Sequence, residues 1–271
     1  SRGCIGEGGA GVPLGSPPGR RACGKSQAKG AGMVVDPVVA LPAIAGSEVA
    51  CRDIPKMLSA AKMLQRHFTT AETLTIFDWD DTLLPTTWIR QQGLEHSGSP
   101  MSEKQQEELG LICEAAQQLL QAAKTYGTVA VVTNGEAGWV ESSCRRLLPQ
   151  LLPVLSGITI FSARSTYEPL GVSSPLEWKV LGFNKLIRSN YKSLCQTAET
   201  QNVLSIGDSV WERDALVRVS QQLPNCRGKT VKLLERPSIP QLLEEQRLIL
   251  ECLPDIVHHQ GTININVGGG S

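Results

Sequence analysis

The stretch Thr73-Leu-Thr-Ile-Phe-Asp-Trp-Asp-Asp-Thr82 decides the fold. Its first half, Thr73 to Phe77, is a short β-prone run that stops in a burst of carboxylates at Asp78, Asp80 and Asp81. Two later apolar runs stop in a similar way. Val129-Ala-Val-Val132 ends in Thr133-Asn134-Gly135, and Val203-Leu-Ser-Ile206 ends in Gly207-Asp208-Ser209. Further β-prone runs lie at Ile158 to Phe161 and Thr230 to Leu234. Helical patterns separate them. Asp53 can cap a helix with Pro55 in its first turn, placing Met57, Leu58, Ala61, Leu64 and Phe68 on one face. Ser102 and Gln105 have capping-box spacing and open a long helix carrying Leu109, Ile112, Ala116, Leu119, Leu120 and Ala123. Other amphipathic segments run from Val140 to Leu151, around Trp178 to Tyr191, and from about Ser238 to Leu253. Apolar strands alternating with helices, without hairpin signals, argue for a parallel sheet covered on both faces. The expected fold is a doubly wound, Rossmann-like α/β domain with a mainly parallel sheet.

Around this core the composition changes. Residues 1–50 are expected to be a disordered, low-complexity segment and linker, because the Gly-, Ser- and Arg-rich part to residue 32 cannot bury a core. Its poverty in acids, with Glu7 alone, also fits an organelle transit peptide, although an amphipathic pattern is missing. The folded domain is expected over 51–258, with a flexible tail at 259–271 ending in Gly-Gly-Gly-Ser.

The 26 basic and 26 acidic residues cancel, so bulk charge favours neither nucleic acid nor an anionic membrane as partner. No run approaches the ~20 apolar residues of a membrane span. Eight scattered cysteines without CxxC spacing read as reduced, mostly buried thiols, which points to a cytoplasmic setting. The four histidines have no zinc-site spacing, and His258 and His259 read as solvated tail.

In a doubly wound sheet, ligands bind at the carboxyl ends of the strands where chain order reverses. The polar residues that close the three runs therefore carry the chemistry. They resemble the four motifs of the haloacid dehalogenase (HAD) superfamily. Asp78, Asp80 and Thr82 match its DxDxT, Thr133 its Ser or Thr closing the second strand, and Lys179 its basic residue. Gly207, Asp208 and Glu212 match its GD followed by another acid. The resemblance covers roughly residues 70–235 in the family's order. It implies a phosphatase of phosphomonoesters, small molecules or phosphoproteins, with Asp78 as nucleophile. It also implies Mg²⁺ held by Asp78, Asp208 and the main-chain carbonyl of Asp80. The Asp at position 80 favours phosphatases and phosphomutases, since the related transport ATPases carry Thr there.

The residues support the same chemistry directly. Converging carboxylates repel one another, and a divalent cation with oxygen ligands relieves that repulsion, which favours Mg²⁺ over zinc. One carboxylate can attack phosphorus to form an aspartyl-phosphate. Asp80 can protonate the leaving group and later activate water. Thr133 offers a hydroxyl and an N–H to phosphoryl oxygens, and Lys179 supplies positive charge. Thr82, Asn134 and Arg164 are the expected substrate contacts; for Arg164 a structural salt bridge is the equal alternative. Glu212, with Asp214 as alternative, is expected in the metal shell, and Lys185 competes with Lys179. Trp79, Trp178 and Trp211 read as packing residues. Residues 83–101 leave room for a flap, and no full cap domain fits between the motifs. The competing functions are a phosphomutase or other phosphoryl transferase, and a catalytically idle HAD-like binding module.

Overall fold

The computed structural model describes residues 48–50, 53–60, 66–95, 98, 100–192, 200–223 and 225–268. Its first half comprises β1 (Glu48–Ala50), α1 (Ile54–Ala60), β2 (Thr73–Phe77), α2 (Thr86–Gln91), α3 (Glu103–Tyr126), β3 (Thr128–Thr133), α4 (Trp139–Leu147) and α5 (Leu152–Leu155). There follow β4 (Thr159–Ser162), α6 (Ala163–Tyr167), α7 (Pro175–Asn190), β5 (Gln201–Gly207), α8 (Val210–Gln221), β6 (Cys226–Lys232), α9 (Ile239–His258) and β7 (Ile263–Gly268).

Among the described residues seven strands form one sheet in the order β1-β7-β6-β5-β2-β3-β4, and every pairing is parallel. From β2 the chain winds outward through β3 to β4, then returns to the other side of β2 and winds outward again through β5 and β6. This is the doubly wound α/β fold that the strand and helix pattern predicts. Chain order reverses between β2 and β5, which puts the ends of those two strands at the ligand-binding crevice of such a sheet.

The period-two geometry of a strand divides the core. Leu74 and Ile76 of β2 pack with Ala130, Val132 and Val203 against Phe183 and Ile187 of α7 and Leu216 of α8. Phe77, Val129, Val131, Leu204 and Ile206 face the opposite side, with Ile112 and Leu119 of α3 and Ile249 and Leu253 of α9. Helix α3 begins with the predicted capping box: Gln105 N–H donates to Ser102 Oγ, and Ser102 N–H donates to Gln105 Oε1 at 2.9 Å.

Two expectations at the ends of the domain are corrected. Residues 263–268 are not tail: they form β7, which pairs with β6 and with β1, so Glu48–Ala50 is sheet rather than linker. Ile263, Ile265 and Val267 are buried while Asn264 and Asn266 alternate with them, a period-two pattern of a half-buried strand. His259 is buried at the end of α9, and the His258 ring lies 4.9 Å from that of His67 and 5.6 Å from that of Tyr126, so neither is solvated tail. Helix α1 is described only to Ala60, and Phe68, expected on its face, lies outside it in irregular chain that still buries the ring. Cys113, Cys144, Cys226 and Cys252 are free and buried as expected; Cys4, Cys23, Cys51 and Cys195, like the transit-peptide reading of residues 1–32, lie outside the described residues. Among the described residues no helix is long and apolar enough to cross a membrane.

Candidate active site

The first acidic motif is a tight reversal at the end of β2. Asp78 N–H still bonds Ile206 O of β5 at 2.9 Å, so its carboxylate leaves the sheet at the crevice. The chain then turns back: the Leu83 and Leu84 N–H groups both donate to Trp79 O at 3.0 Å. Asp81 makes the reversal possible by adopting φ 51°, a left-handed conformation that Asp tolerates better than most side chains. Its carboxylate accepts from the Thr87 N–H and hydroxyl, tying down the first turn of α2. Trp79 is a packing residue as predicted, fully buried with its indole N–H on Ser143 Oγ at 3.0 Å.

Lys179 reaches this point from α7. Ser174 caps that helix, and Asn134 Nδ2 donates to Pro175 O at 3.2 Å, joining the end of β3 to the start of α7. The Lys179 ammonium is 1% exposed and lies 2.6 Å from Asp78 Oδ1, 2.6 Å from Val132 O and 2.8 Å from Glu212 Oε1. Burial alone would pull the ammonium down, but Asp78 and Glu212 outweigh it and raise its pKa above the ordinary lysine value. Lys185 is elsewhere, with its ammonium 4.8 Å over the Phe161 ring.

Glu212 has partners on both oxygens. Oε1 pairs with Lys179, and Oε2 accepts from the Ser209 N–H and hydroxyl as the second half of the α8 capping box. Gly207 is required for this arrangement, because a Cβ there would come within 2.5 Å of Glu212 Cγ. The side chain thus holds Lys179 and caps a helix while it lines the same cleft as Asp78 and Asp208. Asp214 does not enter the cluster; it pairs with Arg213 at 2.9 Å.

Asp80 sits at the centre of a hydrogen-bond network. Its Oδ1 accepts from the Thr86 hydroxyl at 2.7 Å and from the Trp139 indole N–H at 2.9 Å; its Oδ2 accepts from the Thr133 hydroxyl at 3.2 Å. Gly135 N–H in turn donates to Thr133 Oγ1 at 2.8 Å. Thr86 and Trp139 were not legible as site residues. The only hint for Trp139 is the glycine at position 135, where a Cβ would meet Trp139 Cδ1 at 2.5 Å.

These groups line a cleft of about 700 Å³ at the carboxyl ends of the strands. Asp78, Asp80, Asn134, Arg164, Lys179, Asp208 and Glu212 all face it. Arg164 combines both readings, since it lines the cleft while its Nε donates to Glu168 at 2.8 Å. Thr82 does not face the cleft and is corrected as a substrate contact: it is 1% exposed beneath the turn, and its carbonyl accepts from Gln246 Nε2 at 2.9 Å. The segment from residue 83 to 95 forms one wall through Ile89, Arg90 and Glu95, and among the described residues no separate domain covers the cleft. Trp211, 41% exposed, stands at its rim rather than in a core.

The carboxylates crowd one another. Burial, against the pull of Lys179 and with Glu212 and Asp80 adding repulsion, pushes the Asp78 carboxyl up to about 7. Burial and then the charges of Asp78, Glu212 and Asp81 push Asp208 up to about 9. One lysine does not neutralise this set, so the cleft favours a further cation. Among the described residues no three His, Cys, Asp or Glu side chains group as a complete cage. Two carboxylates with solvent access suit Mg²⁺, which keeps several of its waters. No family model, curated protein or solved structure matches this chain.

Proposed function

We propose that this chain is a Mg²⁺-dependent phosphatase that hydrolyses phosphomonoesters through an aspartyl-phosphate on Asp78. The observation that carries this reading is the buried Lys179 ammonium fixed between Asp78 and Glu212, beside a cleft lined by Asp80 and Asp208. A carboxylate paired with a buried cation is held in one orientation for attack on phosphorus. As the ester bond breaks, Asp80 gives its proton to the departing oxygen; it then takes a proton from the water that hydrolyses the acyl phosphate, which frees Asp78 and inorganic phosphate. Lys179 offsets charge on the nucleophile and the transferring group throughout. Asp78, Asp208 and the Asp80 main-chain carbonyl are the groups that would hold Mg²⁺, which when bound counters the charge on the phosphoryl oxygens. A cleft that no domain covers among the described residues suits bulky phosphomonoesters, phosphoproteins included.

The test is hydrolysis of a simple aryl phosphate by the purified chain in Mg²⁺ and in EDTA. Activity is expected only with the metal. Asp80→Asn should lower kcat by about 10²–10⁴-fold, the usual worth of general acid–base assistance. Equal rates in Mg²⁺ and EDTA, or a wild-type rate in that variant, would sink the reading. A folded chain that binds Mg²⁺ but turns over neither aryl nor alkyl phosphates would favour the idle binding module.

A further inference from the structure

We infer that Trp139 and Thr86 are positioning residues that leave Asp80 Oδ2 as the atom through which protons pass to the leaving group and from water. The inference rests on the phosphatase reading and adds which oxygen acts and what holds it. An ionised carboxylate offers about four lone-pair positions. On Oδ1, Thr86 and Trp139 fill both, at 2.7 and 2.9 Å. On Oδ2 the Thr133 hydroxyl fills one at 3.2 Å. Among the described residues the remaining position is on Oδ2.

The three donors come from separate parts of the chain. Thr86 opens α2 on the wall formed by residues 83–95, Thr133 closes β3, and Trp139 opens α4 after Gly138 at φ 84°. A carboxylate gripped from three directions cannot rotate to exchange its oxygens without breaking two or more of these bonds. Each donor is itself held. Gly135 N–H occupies the acceptor side of the Thr133 hydroxyl. The Trp139 ring packs against the Cα of Gly135, where no side chain other than hydrogen fits. Thr86 is 3% exposed, so water does not readily replace its hydroxyl. In the forward step the proton on Oδ2 moves to the bridging ester oxygen as the P–O bond breaks and Asp78 bonds to phosphorus. In the second step the same atom takes a proton from water as the water oxygen bonds to phosphorus and Asp78 leaves.

The experiment compares wild type, Trp139→Phe and Thr86→Val on two substrates, an aryl phosphate and an alkyl phosphate. An aryl oxide leaves without much help, whereas an alkoxide depends on the incoming proton. Each variant should lose roughly tenfold to a hundredfold in kcat/KM on the alkyl phosphate, the scale of a misplaced catalytic group. On the aryl phosphate kcat/KM, which covers only the step in which the aryl oxide leaves, should lose less than about threefold, while kcat falls because the shared attack by water also needs Oδ2. In an Asp80→Asn background, neither second substitution should lower the rate further. Equal losses in kcat/KM on the two substrates, a change confined to KM, or additive losses in the Asp80→Asn background would overturn the inference and leave the phosphatase reading intact. A wild-type chain inactive on both substrates would overturn both. Thr86→Val preserves shape, so it carries the test if Trp139→Phe melts early.

Discussion

Asp78→Asn should lower kcat by about four orders of magnitude or more, as loss of a nucleophile does elsewhere, while the domain stays folded. The amide is nearly the same size and shape as the carboxylate, and its oxygen can still accept from Lys179 at the place where Asp78 Oδ1 now lies 2.6 Å away. Lys179 also keeps Glu212 and the Val132 carbonyl, so the buried ammonium is not stranded. What disappears is the negative charge that attacks phosphorus. The substitution also removes a repulsive neighbour from Asp208, whose carboxyl burial and then Asp78 hold up at about 9, so that group should ionise at lower pH in the variant. Rates on an aryl phosphate, a thermal melt and trapping of the phosphorylated chain check these points together. Wild type should yield a phosphoenzyme cleaved by hydroxylamine, and Asp78→Asn none. A variant that still turned over within tenfold of wild type would remove Asp78 from the mechanism.

Lys179→Met should abolish activity and also cost stability, which separates it from Asp78→Asn. Methionine fills the same space, but it leaves two buried carboxylates, Asp78 and Glu212, without their shared cation. Breaking a buried ion pair from one side costs about 3–5 kcal/mol. For a domain of this size that is a fall of roughly 10 °C in Tm at pH 8. The penalty should depend on pH with a definite sign. Asp78 is already pushed up to about 7, chiefly by burial, and loses in Lys179 the charge that holds it down. A carboxyl with a raised folded pKa binds its proton more tightly folded than unfolded. Its contribution to stability is therefore present below the ordinary Asp value and is lost as pH rises through 7. Melts in metal-free buffer from pH 5 to 8.5 should show the gap between wild type and variant widening with pH. A gap that is constant, or that widens toward acid, would contradict the ion-pair account.

The doubly wound architecture was legible because its signals are local. An apolar run such as Val129–Val132 announces a buried strand, and Ser102 with Gln105 announces a helix start through contacts within one turn. The edge of the sheet was harder to read. Strand β1 is three residues long and pairs with β7 more than two hundred positions away, so nothing nearby in the chain specifies it. Strand β7 did carry an alternating Ile-Asn-Ile-Asn-Val pattern, masked by the glycine-rich end beside it.

The same division holds within the candidate site. The sequence by itself determined which polar residues stand at strand ends, because a carboxylate or threonine directly after an apolar run leaves the sheet at its carboxyl edge: Asp78, Asp80, Thr133 and Asp208 face or touch the cleft as that logic requires. The tertiary structure decided their partners. It gave Glu212 to Lys179 and Ser209, buried Thr82 beneath its own turn, and brought Trp139 and Thr86 onto Asp80. Those choices depend on side-chain directions after tight turns and on helices arriving from 59 and 164 positions away, and no spacing along the chain records how such elements meet.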